Sequence, residues 1–219
     1  MCRLWAVRPA LMLLGLSLCA CTPAALPGPR HLNLQALPDQ RPWQPADLLE
    51  RGEVPRSLLR PLPEALELAP LGSVIVACQQ PSAVWGLCTH VTRKVGPALL
   101  SEETGALGIG ARLRPLTSLL DRDVIFVLDV GVREGQLAAL DAQVERLRGA
   151  PYLLNGEDRA YDCATYQNAL QRALGLPDVV PRNTRWNAHL PGGALGVPTN
   201  RVVWVGVRKL DEVRGLKTN

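Results

Sequence analysis

The sequence predicts an α+β domain, and three observations carry that prediction. Apolar, β-branched runs bounded by Gly and Pro recur between residues 72 and 130. Two segments of helical periodicity follow, over residues 134–148 and 163–175. The strands come as a run with helices after it, not in strict alternation, which is the order of an α+β chain.

The N-terminus reads as a targeting segment. Arg3 and Arg8 form a basic region, and Ala10–Leu18 is an apolar stretch too short to span a bilayer. It ends in Leu18-Cys19-Ala20-Cys21, which resembles the bacterial lipobox. Cys21 fits the lipidated position, with small Ala20 before it; Cys19 fits less well after bulky Leu18. The other reading is a plain signal peptide cut nearby. Both export the protein to the cell envelope, and only the first anchors it to a membrane. Residues 1–20 are then the signal.

Residues 21–70 are dense in proline, which removes donors and interrupts ladders, and they read as a tether and arm. Pro45–Arg51 reads as one short helix, and 58–68 as an irregular arm packed on the domain. The domain proper is expected over 71–219, long enough for a single core. Strands are expected at 72–78, 84–92, 98–102, 123–130 and 201–207. In the helix of 134–148, Leu137, Leu140, Val144 and Leu147 share a face. The last helix opens on Asp162, a good N-cap, and closes at Gly175. Cys163, Tyr166, Leu170 and Ala173 form its apolar stripe.

The formal net charge is +4, of which two arginines belong to the signal. No basic run, aromatic platform or zinc-finger spacing indicates nucleic acid. No ligand cluster indicates a metal, and nothing calls for a cofactor. Cys2 and Cys19 leave with the signal, and Cys21 is taken by lipid. Cys78 and Cys88 flank Gln79-Gln80-Pro81-Ser82, which reads as a hairpin turn. They can pair across it in an oxidising compartment, with Cα atoms roughly 4.4–6.8 Å apart. Cys163 is then the odd, free thiol.

A thiol at a helix N-terminus meets the positive end of the dipole, which favours the nucleophilic thiolate. The same residue type often starts an apolar stripe for packing alone. His90 supplies a base with a near-neutral pKa. Glu102 or its neighbour Glu103 can orient that base, and either can equally be a solvent-facing acid. His189 is a rival histidine, read as exposed in a Gly-rich loop. Trp85, Trp186 and Trp204 read as packing residues.

Thr89-His90-Val91, the turn glycine Gly96, the strand Leu99–Glu102, Gly149-Ala150-Pro151-Tyr152 and Asp162-Cys163-Ala164-Thr165-Tyr166 occur in an order that resembles a known family. It resembles the circularly permuted branch of the NlpC-like, papain-like cysteine amidase and peptidase superfamily, which includes YiiX-like hydrolases and lecithin:retinol acyltransferase. The resemblance spans roughly residues 71–176. It implies a permuted papain-like domain, a small antiparallel sheet or half-barrel packed on helices. It further implies a triad of Cys163, His90 and Glu102. Gly72-Ser73 stands where the family has Gly-Asp. Thr92-Arg93-Lys94 replaces an apolar run, so that strand is expected to be more exposed.

Three functions follow as expectations. One is a lipid-anchored cysteine hydrolase acting on an amide such as a cell-wall peptide. The second is a thioesterase or acyltransferase on a lipid or ester. The third is a non-catalytic envelope protein that keeps the fold for binding.

Overall fold

The computed structural model describes residues 33–83, 86–105 and 109–216. The signal, Cys21 and Trp85 lie outside the described residues. The protein is a mixed α and β structure built on a mostly antiparallel sheet. In chain order the elements are β1 (Gln35–Leu37), α1 (Pro45–Arg51), β2 (Glu53–Pro55), β3 (Leu59–Pro61), α2 (Leu62–Leu68), β4 (Val74–Ala83), β5 (Gly86–Gly96), β6 (Leu99–Glu102), β7 (Arg112–Pro115), β8 (Val124–Asp129), α3 (Leu137–Leu147), α4 (Cys163–Ala173), β9 (Arg182–Asn183), β10 (Ala188–His189) and β11 (Arg201–Val207). Among the described residues the main sheet has the order β3-β11-β8-β4-β5-β6-β7. Only its β3–β11 pair is parallel.

The central strands are buried on both faces, which is why they read as unbroken apolar runs. Val74, Val76 and Cys78 of β4 and Val124, Phe126 and Leu128 of β8 join one core cluster. Ile75, Ala77, Ile125 and Val127 join the other. Leu48 of α1 and Ala164 of α4 close the first face. Leu62, Ala65 and Leu66 of α2 close the second. Helix α2 sits so near β11 that a Cβ on Gly206 would lie 2.8 Å from the Ala65 Cβ, so this position needs glycine. Leu140, Val144 and Leu147 of α3 pack with Tyr166 and Leu170 of α4 in a third cluster.

Four expectations change. The arm is not irregular: 59–61 is a strand of the main sheet and 62–68 a helix. Proline at the N1 and N2 positions of a helix costs nothing, because those amides have no helical partner. Gln79–Ser82 is not a turn but the outer half of β4, and Ala83 already pairs with Gly86. Ala173 is exposed, while the polar Gln167, Asn168 and Gln171 of α4 are buried. Thr92, Arg93 and Lys94 are the reverse of exposed: Arg93 has no accessible surface and Lys94 3%.

The physical reason for the last two is one network. Arg93 Nε donates to Gln167 Oε1 at 3.0 Å and Nη2 to Gln171 Oε1 at 2.9 Å. Its Nη1 donates to the Gly72 carbonyl at 3.2 Å. Gln167 donates to the Ser101 carbonyl and Gln171 to the Val130 carbonyl. Lys94 Nζ donates to the Leu66 and Glu67 carbonyls at the end of α2, where a cation meets the negative pole of the last turn. Each buried polar group thus has partners, which is the condition for burying it. Burial pushes Arg93 down to about 9.

Candidate active site

Cys163 is the first residue of α4, and its neighbours fix it there. The Asp162 carboxylate accepts the Ala164 and Thr165 N–H groups at 2.9 and 2.8 Å, and the Thr165 hydroxyl accepts the Asp162 N–H at 2.9 Å. This reciprocal capping box sets the first turn. The second Asp162 oxygen takes the Asn155 N–H at 2.8 Å, which ties the preceding loop to the same cap. The Cys163 thiol is free and half-buried against the first core cluster.

His90 lies on β5 and Glu102 on β6. Arg93 faces Ser101 and Lys94 faces Leu100. That register sets Thr92 opposite Glu102 and makes His90 a diagonal neighbour of Glu102, within side-chain reach. The His90 Nε2 and Glu102 Oε2 are 2.9 Å apart. Cys163 acts on the same imidazole, and it and Glu102 both favour the ring's charged form. One ring is therefore bonded to the carboxylate and influenced by the thiol. Burial alone would depress its pKa; Cys163 and Glu102 outweigh burial and push His90 up to about 9. Glu102 is fully buried. Burial opposes its ionisation, but His90 and Arg114 prevail and bring it down to about 2.

Two arginines that the sequence reading passed over complete the carboxylate's shell. Arg112 Nε and Nη2 and Arg114 Nη1 all donate to Glu102 Oε1 at 3.2 Å. Arg112 pairs directly across from Glu102. The signal was present as Arg-x-Arg, since alternate residues of a strand share a face.

The sequence marks Tyr152 only as part of the Gly149–Tyr152 motif. Its phenol is raised by burial, then by charge interactions with Cys163, Asp162 and Glu103. Tyr152, Leu153 and Leu154 are 41%, 56% and 66% exposed, three consecutive apolar side chains on the site's rim. The rim is anchored: the Leu153 N–H donates to the Tyr161 carbonyl, and Asn155 accepts the His189 N–H.

Cys78 and Cys88 are bonded to each other, with Cα atoms 3.8 Å apart, closer than the 4.4 Å lower bound expected above. The bond spans directly facing positions of β4 and β5, next to a bulge at which Thr89 has no facing residue. His189 is buried, not exposed, and its Nδ1 meets the Val180 carbonyl at 2.9 Å, which Asn168 also bonds. It pins the segment after α4 and stands outside the Cys163 constellation. Trp204 stacks under the Arg60 guanidinium, 4.3 Å from the ring centre.

No family model matches the chain, and no curated protein or solved structure does either.

Proposed function

We propose that the protein is an exported cysteine hydrolase of the permuted papain-like kind, acting on an amide such as a cell-envelope peptide. The observation that carries this reading is the single imidazole of His90, bonded to the buried Glu102 carboxylate and held in its charged form by Cys163 and Glu102 together. A thiol, a base and a group that orients the base are the parts nucleophilic catalysis needs. The thiolate attacks the carbonyl carbon, forming the S–C bond while the carbonyl oxygen takes the electron pair. The Cys163 N–H at the head of α4 serves that oxygen as a donor. The imidazolium of His90 gives its proton to the leaving amine. A water then attacks the acyl-enzyme, His90 takes its proton, and the thiolate departs. Glu102 stays ionised throughout and holds the ring. Lipidation at Cys21 would hold the enzyme at a membrane of the envelope.

A second reading is favoured by the exposed Tyr152–Leu154 rim: an ester, thioester or lipid acyl group in place of the peptide. The chemistry is the same, and the apolar rim would seat the acyl chain.

The test is the alkylation rate of Cys163 by iodoacetamide at pH 6, where a free thiol of pKa ~8.5 is almost all protonated. Cys163 should react at least about ten times faster than a model thiol. His90→Ala should remove most of that excess, and Glu102→Gln less. An ordinary rate that His90→Ala leaves unchanged would mean a scaffold without the chemistry.

A further inference from the structure

Glu103 is the carboxyl that this mechanism does not use. It follows Glu102 directly, so the two side chains leave the chain on opposite sides. Glu102 goes with His90. Glu103 goes to the side of Ser101, whose hydroxyl is 2.7 Å from the Tyr166 hydroxyl of α4. There Glu103 has no accessible surface, and neither of its carboxyl oxygens has a hydrogen-bond partner. The adjacent Thr104 N–H pulls toward it without a well-formed bond.

The charged and titratable groups around it come from every neighbouring element. Glu102 stands on β6 and Arg112 on β7; Asp162 caps α4, Tyr166 lies one turn in, and Tyr152 lies on the rim. Arg93 and Arg148 act on Tyr166. The cations are already engaged. Arg112 and Arg114 bond Glu102, Arg93 bonds the α4 glutamines, and Arg148 pairs with Glu145. Two of the nearest neighbours, Glu102 and Asp162, are themselves acids. Burial, reinforced by both, pushes Glu103 up to about 7.

We propose that Glu103 sets the charge preference of the Cys163 site. In its acid form it is neutral and adds nothing to the field of the other charged groups at the site. Ionised, it adds a negative charge to the field that it and Cys163 both exert on Tyr152, which turns away anionic reactants and favours those carrying an ammonium group near the reacting carbon. The field acts through the protein and needs no direct contact with the reactant. The proposal rests on the reading of Cys163 as a nucleophile.

The experiment compares three alkylating reagents on the mature chain without reductant, with the modified peptide identified at Cys163. Iodoacetamide is neutral, iodoacetate anionic and 2-bromoethylammonium cationic. In each the thiolate forms an S–C bond and halide leaves. Between pH 5.5 and 8 the iodoacetate-to-iodoacetamide rate ratio should fall about 3–10-fold, centred near pH 7, as one charge at several ångströms implies. The bromoethylammonium ratio should rise in mirror image. Glu103→Gln should flatten both curves, and Glu103→Met should do the same. Wild-type ratios that do not move with pH, or that move equally in the variants, overturn the proposal while leaving the nucleophile intact. A Cys163 that reacts with no reagent faster than a free thiol, with or without His90, overturns both readings.

Discussion

At the scale of single residues, three buried titratable side chains give the fold opposed pH dependences. Glu102 ionises more easily folded than unfolded, about 2 against 4.5. Its stabilisation is therefore present above pH 4.5 and lost as pH falls through 2. His90 is raised from 6.5 to about 9, so its contribution is present below 6.5 and lost as pH rises through 9. Glu103 is an acid raised from 4.5 to about 7. Between those values the folded chain holds a proton that the unfolded chain has lost, so stability falls as pH climbs from 4.5 to 7. The melting temperature should therefore decline in two stages, one over pH 4.5–7 and one over pH 6.5–9. Glu103→Gln should abolish the first, worth about 1–3 kcal/mol, and leave the second. Calorimetry across that range checks this; an identical curve for the variant would exclude Glu103 as its source. The residues that face each other here were written in the sequence as spacing, because a histidine and an acid on facing strands need only a register. The burial of Glu103, Arg93 and Lys94 was not, because polar residues in a strand read as a solvent face until the helices that cover them are placed.

At the scale of elements, short-range signals told most. The helix of Pro45–Arg51 and the strand of Arg201–Val207 have the bounds their sequence patterns indicate, the helix opened by Pro45 and closed by Gly52. Misreadings fell where a local signal met a tertiary one. Gln79–Ser82 has the composition of a turn, yet β4 continues through it because β5 runs alongside. Helix α4 looked amphipathic, yet Gln167 and Gln171 reach Arg93 on the sheet. The β4–β5 pair carries the disulfide, and Cys88 stands two residues before His90 on β5. A bond closing a loop of 10 residues contributes about 2–3 kcal/mol by chain entropy. Cys78→Ala with Cys88→Ala should lower the urea midpoint accordingly, and the double variant should no longer respond to reductant. A wild-type midpoint indifferent to reductant would remove the disulfide from the stability of this pair.

At the scale of the whole molecule, lipidation at Cys21 would set where any chemistry takes place. Residues from Gln35 onward are committed to the body, since β1 pairs with β2 and bonds Arg214 near the C-terminal end. If Cys21 carries the lipid, the ~14 residue steps to Gln35 limit the distance from bilayer to body to about 50 Å even fully extended. A single acyl chain holds a protein only reversibly, and several on one cysteine hold it firmly. Cys21→Ala should therefore move the protein from the membrane fraction to the soluble one, and should remove the acyl mass from the N-terminal peptide. The same variant should keep the Cys163 alkylation rate, because no residue of the Cys163–His90–Glu102 constellation lies in the tether. Unchanged fractionation without acyl mass would point to a plain signal peptide. A loss of Cys163 reactivity on release would instead mean that the membrane itself contributes to the site, which would favour the acyl reading of the Tyr152–Leu154 rim over the peptide one.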